Sequence, residues 1–178
     1  MPREVHEPLH YPAAKIAASA LELELSDARP PPSSASQREL ILPSDFEATA
    51  RARLLPLVLG QGPRLSVRAA VTHADAIDLV DARGEMTRIS VTLDFEVSVQ
   101  GGPTLRRAET HSESDLPREE ATSEEILFLL HSTALDAFDR YWANPATEAA
   151  LNKDLAAYQK RRPLAPSEEP AQLGSDGK

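Results

Sequence analysis

Apolar and polar residues alternate without a break from Ile89 to Val99. Apolar side chains occupy every odd position of this segment, and Ser, Thr, Asp and Glu occupy the even positions. Because successive side chains of a strand point to opposite faces, the pattern predicts a strand with one apolar face and one polar face. Such a strand is typical of an antiparallel sheet that is covered on one side only.

Three further segments predict strands of the same sheet. Residues 15–26 end in leucines that alternate with glutamates, and residues 65–72 alternate similarly before continuing irregularly to Val80. Residues 104–114 are almost wholly polar, which suits an edge strand because charges there discourage further pairing. The best buried face of this last strand consists of Ala108, Thr110 and Ser112.

Amphipathic segments supply the helices that cover the apolar face. Ser44 to Glu47 has the form of a capping box, but Pro56 lies inside the helix that it opens and predicts a kink near Arg53 or an earlier end. Thr122 to Glu125 is a second capping box, and its helix runs to about Ala143. A third helix is predicted over about 146–161, after a proline that suits the first helical position.

This order of elements predicts an α+β fold, a two-layer sandwich of a mostly antiparallel four-stranded sheet with two main helices on one face (β-α-β-β-β-α-α). Residues 13–162 are predicted to form this single domain. Residues 1–12 carry three prolines and predict an irregular arm. Residues 163–178 are rich in Pro, Glu, Ser and Gly and predict a disordered tail.

Composition narrows the classes of partner. The 178 residues carry a net charge of −9, with a sequence pI near 5.0, so nucleic acid and anionic membrane surfaces are disfavoured as partners. Cysteine is absent, which excludes disulfides, thiolate zinc sites and a cysteine nucleophile. No apolar run is long enough for a transmembrane segment, and the N-terminus lacks the apolar region of a signal peptide.

The sequence predicts no catalytic, cofactor-binding or metal site, and the protein is therefore expected not to be an enzyme. The G-x-S-x-G and H-E-x-x-H motifs and the phosphate-binding glycine loops are all missing. His6 and His10 have the spacing of two metal ligands on a helix, but the surrounding prolines favour a solvated arm. His73 with Asp75, Asp78 and Asp81 lacks the glycine and glutamate of a calcium loop, and a solvated turn between two strands is favoured.

Two further features have competing interpretations. Tyr141 and Trp142 could line a ligand groove at the end of a helix, although aromatic residues at helical spacing are more often part of a core. The acidic stretch from Glu109 to Glu125, in which Arg118 is the single arginine, could face a basic partner. It could also keep an edge strand from pairing, and this second interpretation needs no partner.

The chain resembles the outer-membrane lipoproteins of the YajG family and, more distantly, the LptE family of lipopolysaccharide-assembly proteins. The resemblance covers roughly residues 15–160. It lies in the order of elements and in these segments: Leu-Ser-Asp-Ala-Arg-Pro after the first strand, the Ser-Asp-Phe-Glu helix start, the alternating strand before Gly101-Gly102, and the polar strand leading into Thr122–Tyr141.

This resemblance implies a non-enzymatic periplasmic protein held at an outer membrane by a lipid anchor. LptE-like members bind a β-barrel and contact lipopolysaccharide, which would make Arg106 and Arg107 the nearest candidates for an anionic lipid contact. The lipobox cysteine of such families is missing, so a lipid anchor would require a cysteine upstream of Met1. The interpretation of these arginines that needs no lipid is a charged edge strand.

We therefore expect a periplasmic, outer-membrane-associated accessory protein that uses no cofactor and binds a protein partner or an envelope lipid. The polar face of the sheet or its polar edge strand would present the interface, with Arg106, Arg107, Glu109 and His111 as candidate residues. An alternative is a cytoplasmic adaptor or secretion chaperone, a class that is often small, acidic and α+β. A third hypothesis is a small-ligand pocket between sheet and helices, for which a deep apolar cavity under Leu93, Phe95 and Phe138 would be required.

Overall fold

The alternating segment forms one of the two inner strands of a four-stranded sheet. This computed structural model describes residues 15–31 and 40–162, so the predicted arm with His6 and His10 and the predicted tail lie outside the described residues. The strands are β1 (Ala20–Asp27), β2 (Arg64–Asp81), β3 (Gly84–Val99) and β4 (Thr104–Pro117), and the helices are α1 (Asp45–Leu54), α2 (Ser123–Trp142) and α3 (Pro145–Arg161). One-turn 3-10 helices follow α1 (Leu55–Leu57) and β4 (Arg118–Glu120).

The strands lie in the order β1-β2-β3-β4. The pairs β2–β3 and β3–β4 are antiparallel, whereas β1 runs parallel to β2 with Leu23 opposite Val67. A parallel pair cannot be joined by a tight turn, and the connection from β1 to β2 accordingly contains α1. The predicted α+β sandwich with a mostly antiparallel sheet is confirmed.

The core lies between the sheet and the helices. Every odd residue of β3 from Ile89 to Val99 is buried, as the alternation predicts. The ring of Phe95 lies 5.7 Å from that of Phe138 and stacks on Tyr141 at 4.9 Å. Trp142 meets the same ring edge-on at 6.2 Å. Tyr141 and Trp142 are therefore core residues. The hypothesis of a small-ligand pocket requires a cavity between the sheet and the helices at Phe95 and Phe138, and packed aromatic rings occupy that space.

Strand β4 is polar yet packs against α2, because its hydroxyl groups find partners on that helix. Thr110 Oγ1 donates to the carbonyl of Ala137 at 2.6 Å, and Ser112 donates to the Asp136 carboxylate. These bonds satisfy groups that would otherwise be costly to bury. The predicted inward face of β4 is confirmed, since Ala108, Thr110 and Ser112 are half-buried or buried.

The helix ends agree with the predictions in part. Helix α1 ends at Leu54, and Pro56 lies in the following 3-10 turn, so the earlier end is confirmed. Thr122 caps α2 by accepting a hydrogen bond from the Glu125 N–H at 3.2 Å. The capping box at Ser44 is wrong: this residue has helical dihedral angles (φ −61°, ψ −23°) and its side chain makes no capping bond.

The first strand begins later than predicted. Regular pairing starts at Ala20 instead of residue 15. Ile16 and Ala18 are buried, which explains the apolar pattern, but Ile16 makes only an isolated bridge to Val58. Its N–H donates to the Leu57 carbonyl at 2.7 Å, so this segment is held by the end of α1's 3-10 turn instead of the sheet.

The second strand is longer than its regular alternation suggests. A β-bulge between Val71 and His73 shifts the register, and beyond it the hydrophobic residues of β2 that pack against the core are Ala74 and Ala76. The predicted irregular continuation of this strand to Val80 is confirmed. The prediction of a solvated turn around His73 and Asp75 is wrong, because these residues pair with β3 as part of the strand.

Candidate functional site: the open face of the sheet

The face of the sheet opposite the helices, here called the open face, carries the even residues of β3. Residues that pair across strands place their side chains on the same face, so the register defines rows that cross the sheet. One row contains Ser26, Ala70, Asp94 and Glu109, in the order β1 to β4. The neighbouring row contains Glu24, Arg68, Glu96 and Arg107.

Small side chains make the first row concave. Ser26 and Ala70 reach less far from the sheet than the arginines and glutamates of the neighbouring row, and an open groove of about 640 Å³ results. This groove spans all four strands. The residues that line it are Ser26, Arg68, Ala70, Asp94, Phe95, Glu96, Arg107, Ala108 and Glu109.

The charges of the groove are balanced in one row and unbalanced in the other. Arg68 Nε lies 3.4 Å from Glu24 Oε2, and Arg107 Nη2 lies 2.8 Å from Glu96 Oε2. These pairs neutralise each other within the second row. The carboxylates of Asp94 and Glu109 remain in the first row, so the groove has negative character that a cationic group would balance.

Asp94 carries an oxygen whose hydrogen-bonding capacity is unused. Its Oδ1 is shielded from solvent and has no hydrogen-bond partner among the residues that the structure describes. A carboxylate oxygen in such a position favours a donor, and a charged donor forms the stronger and shorter bond. The groove can therefore accept an ammonium or guanidinium group. Neither an imidazole nor a thiol lines it.

The structure separates the four residues predicted as an interface. Arg107 and Glu109 line the groove, and His111 lies on the same open face, its Nδ1 2.9 Å from Thr92 Oγ1. Arg106 lies on the helix-covered side, where its Nε donates to Asp154 of α3 at 2.6 Å. Arg106 therefore anchors a helix and is directed away from the groove.

The sequence alone does not predict Asp94, Ala70 and Ser26 as site residues. The alternation of β3 does place Asp94 on the polar face. Its row neighbours could be found only from the register of β1 and β2, and the bulge in β2 makes that register unreadable from the sequence.

A second charged cluster lies where β2 turns into β3. Asp115 accepts hydrogen bonds from Arg88 Nε at 2.8 Å and from Arg83 Nη2 at 2.5 Å. These guanidinium groups, that of Arg88 first, lower the pKa of Asp115 to about 2. The hydrogen bond from Arg83 likewise lowers the pKa of Asp81. The carboxylates are occupied by these arginines, which makes the cluster a structural support of the hairpin.

The described part of the chain was also searched for clusters of metal-ligating side chains and for membrane-spanning helices. Residues 15–31 and 40–162 bring no three His, Asp or Glu side chains into an arrangement that could hold a metal ion. Over the same ranges, the helices are either too short or too polar to cross a bilayer.

Comparison with known proteins gives remote structural neighbours. No family model and no curated protein matches the sequence. A minor lipoprotein from Acinetobacter baumannii superposes with a TM-score of 0.41 at 11% identity, over 81% of this chain and 95% of that one. A homologue of a neuraminyllactose-binding hemagglutinin from Helicobacter pylori superposes with a TM-score of 0.39 at 9% identity, over 85% of this chain and 97% of the other. Likenesses this remote carry neither a family nor an activity over to this chain, and the resemblance to YajG- and LptE-like proteins stays a prediction.

Proposed function

We propose that this protein is a non-enzymatic accessory protein of the cell envelope that binds a protein partner in the groove of its open face. The observation that carries this proposal is the shielded Asp94 Oδ1, which has no partner among the described residues and lies in a groove of about 640 Å³. A rigid sheet holds this oxygen in place, so little ordering is required when a donor arrives.

The partner's anchoring group in this proposal is a lysine or arginine side chain. It would donate to Asp94 and lie near Glu109, whose charge no ion pair in the described residues offsets. A hydrogen bond to a charged group contributes about 1.5–3 kcal/mol. The negative groove disfavours the phosphates of lipopolysaccharide, so a protein partner is favoured over an anionic lipid.

The location at the outer membrane, on its periplasmic side, rests on the sequence resemblance to lipoproteins of that membrane. The non-enzymatic part of the proposal is supported by the groove lining, which offers no imidazole or thiol for proton transfer near neutral pH. Expression of the native gene followed by separation of periplasmic, membrane and cytoplasmic fractions tests the location. Recovery in the cytoplasm alone would favour the adaptor or chaperone alternative.

A defined peptide pair tests the groove. We expect a short lysine-containing peptide, added to the isotopically labelled full chain, to shift the amide resonances of Ala70, Asp94 and Glu109. The matched peptide with glutamate in place of lysine should leave them unmoved. Asp94→Asn should weaken the response about tenfold or more, as loss of one charged hydrogen bond implies.

The control variant is Glu113→Gln, which removes a carboxylate from the same open face outside the groove. It should respond to the lysine peptide like the wild type. Equal responses to both peptides, or equal loss of the response in Asp94→Asn and Glu113→Gln, would contradict the proposal.

A further inference from the structure

One cross-strand pair on the open face carries two like charges. The antiparallel register of β3 and β4 places Asp94 directly opposite Glu109. Like charges in this arrangement destabilise a strand pair. Among the described residues, neither carboxylate takes part in an ion pair, and the neighbour of Asp94 on its other side is the uncharged Ala70. The repulsion between the two carboxylates is therefore not offset by a cation of the described chain.

The neighbouring charged pairs of the same two strands are complementary. Arg88 Nε donates to Asp115 Oδ1 at 2.8 Å, and Arg107 Nη2 lies 2.8 Å from Glu96 Oε2. Within the described β3–β4 register, Asp94 and Glu109 form the one pair in which both residues carry the same charge. Sequences are expected to break a local rule of this kind at functional sites.

We propose that Asp94 and Glu109 together bind the guanidinium group of an arginine of the partner, in preference to the ammonium group of a lysine. This inference rests on the proposed function and specifies the anchoring group in it. Residues directly opposite each other have Cβ atoms about 4.5–5.5 Å apart, so both carboxylates can reach one ligand group. A guanidinium carries five N–H donors in a fixed plane and can donate to both carboxylates at once.

Two properties of the pair favour arginine over lysine. Asp94 Oδ1 is shielded from solvent, so a group that donates to it has to give up water, and a guanidinium is more weakly hydrated than an ammonium group. Glu109 supplies a second carboxylate, which suits the planar fork of arginine better than the point charge of lysine. Asp94 is thus required by either cation, whereas Glu109 determines the preference for arginine.

The cations nearest to the pair are held by other residues. Arg107 lies against Glu96, and Arg68 Nε lies 3.4 Å from Glu24 Oε2 in the same neighbouring row. The small side chain of Ala70 leaves space next to the pair, within the groove of about 640 Å³. An arginine from a partner can therefore enter without breaking either ion pair.

The experiment compares three short peptides that differ at a single residue, which is arginine, lysine or citrulline. Citrulline is the uncharged analogue of arginine and has nearly the same shape. Each peptide is titrated into the isotopically labelled full chain, and its dissociation constant is read from the amide shifts of Asp94 and Glu109. We expect the arginine peptide to bind about tenfold more tightly than the lysine peptide, as one additional charged hydrogen bond implies, and the citrulline peptide not to bind.

Three variants separate the roles of the two carboxylates. Glu109→Gln should weaken binding of the arginine peptide about tenfold and that of the lysine peptide less, so that the preference disappears. Asp94→Asn should weaken binding of both peptides. Glu113→Gln, on the same face outside the groove, should keep the wild-type preference. In urea unfolding without peptide, Glu109→Gln should be at least as stable as the wild type, because the repulsion from Asp94 is removed.

The outcomes distinguish this inference from the proposed function. Equal affinities for the arginine and lysine peptides, or a preference for arginine that persists in Glu109→Gln, would overturn the inference and leave the groove as a site for either cation. A Glu109→Gln variant that is less stable than the wild type would show that Glu109 is paired in the free protein, and this would overturn the inference as well. Failure of both cationic peptides to bind would contradict the proposed function itself.

Discussion

The guanidinium of Arg88 and the carboxylate of Asp115 face each other across β3 and β4, with Nε donating to Oδ1 at 2.8 Å. Because Arg88 and Arg83 lower the pKa of Asp115 from 3.8 to about 2, its ionised form stabilises the folded state above about pH 4. This contribution is lost as the pH falls from about 4 to about 2.

We expect Asp115→Asn to lower the free energy of unfolding by about 1 kcal/mol at pH 7, since the site is near the surface and partly screened. Below about pH 2 the variant and wild type should be equally stable with respect to this site, because Asp115 is then protonated. Urea unfolding at several pH values measures both quantities. Glu119→Gln, at an exposed position, is the control and should follow the wild-type pH profile. A constant difference between Asp115→Asn and wild type across the acid range would contradict the assignment.

The two predicted caps differ in the structure, and the difference can be measured. Thr122 accepts a bond from the Glu125 N–H, so Thr122→Ala should lower the free energy of unfolding by about 1 kcal/mol. Ser44→Ala should change it by less than about 0.5 kcal/mol, because the Ser44 side chain makes no capping bond. Chemical denaturation of the two variants gives the comparison. Equal losses would show that Ser44 caps α1 in solution.

Gly62 and Gly84 have the same φ of +114° but different surroundings. A Cβ at Gly62 would lie 2.5 Å from the Ala17 carbonyl oxygen, whereas nothing lies within 4 Å of a Cβ at Gly84. Both alanine variants incur the cost of the left-handed backbone, so their difference isolates the contact with Ala17. We expect Gly62→Ala to be less stable than Gly84→Ala by about 1–3 kcal/mol, measured by thermal or urea unfolding. Equal stabilities would mean that the segment around Ala17 moves aside freely.

The hydroxyl of Tyr141 is buried without a hydrogen-bond partner among the described residues, and burial raises its pKa. Tyr141→Phe removes this group and keeps the ring that stacks on Phe95. The free energy of unfolding should therefore stay unchanged or rise by up to about 1 kcal/mol. Two results would show that the hydroxyl has a hydrogen-bond partner in solution. One is a loss of stability in Tyr141→Phe, and the other is an ultraviolet titration in which the phenol pKa of Tyr141 is not raised.

The parts of the fold that follow from local pattern were predictable. The alternation of Ile89–Val99 gives the buried face of β3 directly, and Pro56 gives the end of α1, because both depend on neighbouring residues only. The local sequence predicts a turn at Asp75 and Asp78, because carboxylates favour turns. Pairing with β3 overrides that preference.

The candidate groove depends on distant residues and was therefore not predictable. Ser26 and Asp94 lie in one row because both pair with Ala70 of β2. A bulge between Val71 and His73 separates this row from the β2–β3 turn, so the pairing cannot be counted back from the turn. The polarity of β4 predicts that Arg107 and Glu109 are exposed interface residues. It does not predict which residues of the other strands lie beside them. Arg106 has the same polarity and packs on the opposite side against Asp154.

The parallel pairing of β1 also determines the sequence of events when the chain folds. Leu23 cannot meet its partner until Val67 has been synthesised and the intervening segment has looped back, whereas β2, β3 and β4 follow one another through short turns. Pulsed hydrogen exchange during refolding should find the amides of β3 protected before those of β1, and simultaneous protection would contradict this order. We therefore expect β1, which precedes the other three strands in the chain, to be the last of the four to join the sheet.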